Sequence, residues 1–437
     1  MLKFISKNLN ALHRIRKIIL FWVLFITYIF FLLVGPRVPD NEQEKYCVRN
    51  FEINSTLGHS MNCDSADWIL NSSNPSRIFE PESIRQTRPA MIFTTHYLSK
   101  FLDIFYNDKE YPKTTQYVNA SGESNFTYEE FNPKIVYVSY LIINVLILIS
   151  SIAIFFKIFN FSILNYRCFD HWYIWFANLI ICNNTVNQFL YSPSTKFFNI
   201  LCAVITIFLS IKIFKNQFSK FINYITYFGL GILMLFYASF FITFVTLISL
   251  HFFNRRHDQV YKIVYEMIVL TFIFCLPYII WFSYIQNLNN SFYISNFTNY
   301  KFIIWIFEFY KLNGLILTIQ NLFLDFLKFT FIFLKEHYLL AIFLPLFLFI
   351  KNKICYKDKL VYFFSIFFSF IFICFFIILG HTPSDIISIL IIPFAICLTN
   401  FFKNNQISFF SNSATPIFII ILGIYNIWSL TKFGPYS

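Results

Sequence analysis

Two carboxylates, Asp64 and Asp67, and two guanidinium groups, Arg85 and Arg88, share one polar stretch running from Cys63 to Ile92. Each type has a clear chemical use. A carboxylate within hydrogen-bond reach of a hydroxyl or amide takes its proton as that group attacks. A guanidinium holds phosphate oxygens where negative charge grows on a leaving group. Together they suit a transfer reaction whose leaving group is a phosphate. Asp64 is the first choice for the carboxylate and Asp67 the second, because residues one helical turn apart do not easily reach the same acceptor atom. Each also has a plain structural use. Asp64 reads as the N-cap of a helix with Asp67 in its first turn, and arginines beside a membrane reach along it to lipid headgroups.

The elements around this stretch are membrane spans. Of 437 residues 57% are hydrophobic, 22% aromatic and only 13% charged, far from the quarter or so of charged residues in soluble domains. The net charge is +12, but the lysines fall at the ends of apolar runs rather than on one soluble face. They read as topogenic charge, and nucleic acid is not an expected partner; the lipid bilayer is. A basic tail with Lys3, Lys7, Arg14, Arg16 and Lys17 precedes the apolar run Ile18 to Val34, which reads as a retained anchor. After Pro133, apolar segments fall near 134–156, 172–190, 197–214, 222–250, 262–285, 302–332, 336–350, 360–380, 385–402 and 414–430. With the anchor they make about eleven spans. Alternation then gathers Lys212, Lys215 and Lys220, the lysines from Lys351 to Lys359, and Lys403 on the cytoplasmic side. Segments 222–250 and 302–332 exceed the ~20 residues that one crossing needs, so an interfacial helix within either would change the count.

The chain therefore divides into a basic tail and first span over 1–35, an extracytoplasmic loop subdomain over 36–133, and a multi-span domain over 134–437. Within the loop, Glu80-Pro81-Glu82-Ser83 is expected to open a second helix with Pro at its first position. Ala90 to Leu102 is expected to lie as a weakly amphipathic helix on the membrane surface. Cys47 and Cys63 would bridge if the loop faces an oxidising compartment. The N-x-[ST] triplets, at Asn71 and Asn183 among others, arise cheaply in so Asn-rich a chain and carry little weight. Ionisable groups at mid-membrane depth, expected of an ion-coupled carrier, are scarce.

Asp64-Ser65-Ala66-Asp67-Trp68, Asn74-Pro75-Ser76-Arg77 and Arg85-Gln86-Thr87-Arg88-Pro89 resemble the first extracytoplasmic loop of the GT-C membrane glycosyltransferases. There a catalytic Asp in a D-x-x-x-aromatic pattern precedes R-x-x-P or R-P at the entry to a juxtamembrane helix. The resemblance implies an all-α polytopic membrane protein of GT-C type, with a small helical loop subdomain outside the membrane. The implied activity is transfer of a sugar from a polyprenyl-phosphate carrier to an unspecified acceptor on the extracytoplasmic face of a bacterial inner membrane. Asp64 or Asp67 would be the catalytic carboxylate, and Arg85 and Arg88 would contact the donor. Lys335 and His337, with His381 in the late turn Gly380 to Asp385, stand where family members contact carrier or substrate. Family members often carry a second acid, beside a divalent cation, in the outer loop between spans three and four. Here that loop, Tyr191 to Lys196, has no carboxylate. No metal-ligand set is read, and no cofactor beyond such a cation is implied. Two further readings stand beside this one: a non-enzymatic hydrophobic subunit of a larger membrane complex, and a lipid-linked saccharide carrier or polymerase.

Overall fold

The computed structural model describes residues 49–52, 58–61, 63–80, 83–105, 114–119, 122–127, 133–159, 177, 180, 181, 183–190, 192–255, 259–289, 302–336, 359–379 and 387–405. The expectations placed on the first span, on a Cys47–Cys63 bridge, on segments 336–350 and 414–430, and on His337 and His381 lie outside these residues.

Among the described residues the chain is overwhelmingly helical, with strands confined to the polar loop. There β1 (Arg49–Glu52) pairs antiparallel with β2 (Gly58–Met61), and β3 (Thr114–Asn119) with β4 (Gly122–Thr127). Between the two hairpins run α1 (Cys63–Ser73), single 3-10 turns at Pro75–Phe79 and Ile84–Thr87, and α2 (Pro89–Asp103). The helix expected after Pro81 is only the Ile84–Thr87 turn. Pro75 and Pro89 open the neighbouring elements instead, because proline's fixed φ and missing N–H suit a first helical turn.

The membrane part contains α3 (Pro133–Ile158), α4 (Asn184–Phe189), α5 (Phe198–Phe214), α6 (Lys220–Met234), α7 (Phe240–Asn254), α8 (Val260–Asn289), α9 (Phe302–Glu336), α10 (Lys359–Ile378) and α11 (Ile391–Asn405). Among the described residues, α3, α8, α9 and α10 contain helices long and apolar enough to cross a bilayer. The local signals agree with these bounds. Asn183 caps α4 by accepting from the Val186 N–H, and Ser219 caps α6 by accepting from the Ile222 N–H. α5 stops at Asn216, whose φ of 50° lets the Gln217 N–H return to the Lys212 carbonyl, the left-handed stop that Asn tolerates better than most residues.

The segment 222–250 is two helices. Leu235 to Ser239 turn the chain back, so that α6 and α7 form a hairpin with Tyr227 edge-on to Phe244, and Phe244 stacks on Phe274 of α8. Gly231 lets α6 press on α8: a Cβ there would lie 2.2 Å from the Phe274 carbonyl oxygen. The other over-long segment, α9, is broken at Gly314, whose φ of 75° and ψ of 173° are not helical.

These contacts give the bundle two ends. At one, the start of α3, the start of α5 and the α6–α7 turn meet the loop subdomain: Tyr140 reaches Ser72, Phe198 packs on Phe236 and Phe240, and the Ala90 N–H donates to the Leu235 carbonyl. At the far end lie Lys157 closing α3, Lys212 and Lys215 closing α5, Lys220 opening α6, Arg255 following α7 and Lys262 in the first turn of α8. Lys359 opens α10 near the same end, where Phe364 meets Phe214. Of the lysines that the sequence assigns to one side, Lys212, Lys215, Lys220 and Lys359 gather at one end, and those from Lys351 to Lys357 lie outside the described residues.

Candidate functional site

Arg85 sits at the centre of the loop subdomain, buried against α1. Its Nη2 donates to Asp64 Oδ1 at 2.6 Å, its Nε donates to Asp67 Oδ2 at 2.6 Å, and its guanidinium carbon lies 4.2 Å from the centre of the Trp68 ring. The i, i+3 spacing of the two carboxylates puts them on one face of α1, and the turn at Ile84–Thr87 delivers the arginine between them. Asp64 thus occupies the first turn of a helix that begins at Cys63, and its carboxylate faces Arg85 rather than capping the helix. Arg85 is occupied by the two aspartates.

The subdomain is tied down by buried polar pairs that the sequence did not reveal. Ser72 Oγ meets Tyr140 Oη at 2.8 Å, Ser99 Oγ meets Ser139 Oγ at 2.9 Å, and His96 Nδ1 lies 3.0 Å from the Ser72 carbonyl. On the opposite flank Trp281 Nε1 donates to the Gln86 carbonyl at 2.7 Å. The helix Pro89–Asp103 therefore packs as part of the bundle. Its Met91, Ile92, Thr95, His96 and Ser99 are buried, while Tyr97 and Phe101 remain exposed. Asn71 is buried too, its amide donating to the Asp67 carbonyl, and the Asn183 side chain is used as a cap. Neither of these triplets presents an accessible amide.

The loop between α4 and α5 comes to the same place. Asn144 of α3 donates to the carbonyls of Phe189, Leu190 and Ser192, gathering the end of α4, where helical carbonyls lack partners. This fixes Ser192, whose Oγ meets Ser65 Oγ of α1 at 2.7 Å, and Thr195, whose Oγ1 accepts from Arg88 Nη1 at 2.8 Å. The Arg88 guanidinium also lies 4.8 Å from the Tyr237 ring centre in the α6–α7 turn, and the Lys196 ammonium lies 4.8 Å from that of Phe189. Thus the loop expected to carry a second acid does adjoin Asp64, but it contributes a lysine and hydroxyls.

Burial pushes the Asp64 carboxyl upward, yet it ends below its ordinary value because the attraction and hydrogen bond of Arg85 outweigh that, with smaller help from Arg88 and Lys196. Asp64 is held ionised, and its side chain is 52% exposed against 28% for Asp67. It is the more open of the pair. Arg88 is only partly buried and makes a single side-chain hydrogen bond among the described residues. Most of its five N–H donors are uncommitted. No group of three His, Cys, Asp or Glu is gathered as a metal cage among the described residues. Lys335 is exposed in the last turn of α9 and joins none of these contacts.

No family model matches the chain, and no curated protein or solved structure is similar to it.

Proposed function

We propose that the chain is a membrane glycosyltransferase of GT-C type, using a polyprenyl-phosphate-linked sugar at the loop end of the bundle. The observation that supports this best is the meeting of three remote segments around one half-exposed, ionised carboxylate. α1 brings Asp64, the entry to α2 brings Arg88, and the α4–α5 loop brings Thr195 and Lys196. A carboxylate open to solvent beside a guanidinium with donors to spare suits an acceptor hydroxyl next to a phosphate.

In this reading the acceptor oxygen attacks the anomeric carbon, and the bond from that carbon to the phosphate oxygen breaks. The bonding pair leaves with the phosphate, where Arg88 offsets the growing charge. The acceptor proton passes to Asp64. A carboxylate held at low pKa is a weak base, but the attacking hydroxyl becomes strongly acidic as its bond to carbon forms, so late transfer needs no more. Arg85 is a positioning residue that orients Asp64, and Asp67 holds the other side of Arg85. Positive charge concentrated at the far end supports reading that end as cytoplasmic, and with it a reaction on the outer face of an inner membrane.

The test is transfer of labelled hexose from polyprenyl phosphohexose in membranes containing the protein, with photolabelling by a benzophenone-bearing polyprenyl phosphate. Asp64→Asn should lower transfer by roughly 10² to 10⁴-fold while labelling persists, and Arg88→Ala should weaken labelling. Labelling no different from a control membrane protein would sink the reading. That outcome would favour a non-enzymatic subunit, for which Arg85, satisfied on both sides, is a structural clamp.

A further inference from the structure

At the far end the first turns of α6 and α8 and the end of α7 enclose a cleft of about 280 Å³ lined by Lys220, Arg255, Lys262, Tyr224, Tyr265 and Glu266, among others. Arg255 pairs with Glu266 through Nη1 and Oε2. Among the described residues of the lining, that contact consumes the one acidic group and leaves the ammonium groups of Lys220 and Lys262 in excess. Neither lysine forms an ion pair or hydrogen bond among the described residues, and both are exposed. Behind Glu266 the polar atoms are also underused. His251 Nε2 stands 3.5 Å from Glu266 Oε2, close enough to pair but long for a hydrogen bond, and the buried Tyr227 hydroxyl has no hydrogen-bond partner among the described residues. Two helix starts add their positive ends to the same cleft. Its walls are otherwise aromatic and apolar, with Ile263 and Val269 beside Tyr261, 67% exposed, and Tyr265, 70% exposed.

A cationic cleft with greasy walls, at the level where two membrane helices begin, fits one kind of ligand: a phosphate ester carried on acyl chains. We propose that this cleft binds the headgroup of an anionic phospholipid, with Lys220 and Lys262 on the phosphate and the exposed tyrosines along the upper chains. The pair Arg255–Glu266 fixes the cleft's floor, and Glu266 can receive a headgroup hydroxyl. The site is separate from Asp64 and does not depend on the glycosyl-transfer reading. It joins α6, α7 and α8 at their charged end, so an occupied cleft would brace the helical hairpin.

The experiment uses the full chain in nanodiscs of phosphatidylcholine with a minor fraction of phosphatidylglycerol, counting retained lipids by native mass spectrometry. Wild type should retain phosphatidylglycerol over phosphatidylcholine, and Lys220→Gln with Lys262→Gln should lower that preference by about 30-fold, the worth of two juxtamembrane cations. Inorganic phosphate at millimolar concentration should not displace the lipid. Displacement by phosphate alone would make the ligand a soluble anion and overturn the lipid assignment. Equal retention of the two lipids by wild type, or unchanged preference in the double variant, would overturn the site itself. Lys157→Gln, at the same end but outside the cleft, controls for general surface charge and should leave the preference intact.

Discussion

The two charged clusters of this molecule solve opposite problems. At the loop end one arginine serves two carboxylates, and the cluster's internal charge is nearly spent on holding α1 to the turn at Ile84–Thr87. At the far end Glu266 pairs with Arg255 and stands beside His251, and among the described residues two lysines of the cleft remain without an acid. The first cluster is a clamp with an open rim at Asp64 and Arg88; the second is a receptor for negative charge. A buried arginine is thus weak evidence of ligand binding until its partners are counted, whereas surplus cations around one satisfied pair are stronger evidence.

The largest effect expected from breaking this contrast is at Arg85. Arg85→Met should strand Asp64 and Asp67 against Trp68 and destabilise the protein by about 3 kcal/mol, toward the low end for a broken buried pair because Asp64 is half exposed. Thermal unfolding in detergent measures it, and a loss no larger than that of a surface substitution would end the description of Arg85 as a clamp. Arg255→Met should lose less, because its side chain is 34% exposed against 8% for Arg85 and it pairs with one carboxylate rather than two.

Next comes the close approach of α6 to α8. Gly231→Ala drives a methyl into the Phe274 carbonyl and should cost about 2 kcal/mol by overpacking, read from the same unfolding curves.

A smaller effect sharpens the loop end. The folded Asp64 pKa lies below its ordinary value of 3.8, so the ion pair contributes fully above that value and is lost as pH falls through the lower folded value. Stability should therefore drop on acidification below about pH 4, and Asp64→Asn should flatten part of that drop while lowering stability at pH 7. An unchanged acid profile in Asp64→Asn would show that the carboxylate is not held by Arg85 in solution. The smallest effect is expected from Lys196→Ala, which removes a cation from the Phe189 ring and should cost about 0.5 kcal/mol.

Much of the fold was legible because hydrophobic runs report apolar helices directly: α3, α5, α8, α10 and α11 fall where the apolar segments do, and of these α3, α8 and α10 are long enough to cross a bilayer. The polar stretch around Asp64 was equally visible as the place where charge collects. What the sequence hid was partnership. Nothing in the spacing of Asp64, Asp67 and Arg85 states that the arginine sits between the aspartates, since that follows from a single 3-10 turn whose hydrogen bonds are local and weakly encoded. Nor does Asn144, one polar residue in a long apolar run, announce that it gathers the α4–α5 loop. The fusion of α6 and α7 into one apparent segment has a simple cause: Leu235, Phe236 and Tyr237, which make the turn, are as apolar as the helices on either side.

That apolar turn has a consequence for how the protein is made. Helices of 15 residues span about 22 Å, short of the ~30 Å hydrocarbon layer, so neither α6 nor α7 offers the insertion machinery a full-length signal while it emerges. The two together present the apolar surface that neither presents alone, and the turn brings both open ends back to the same end of the bundle. Two half-length helices joined by an apolar turn thus form a single unit of membrane entry, expected to insert as a pair, with Lys220 and Arg255 standing together at its open ends rather than on opposite sides.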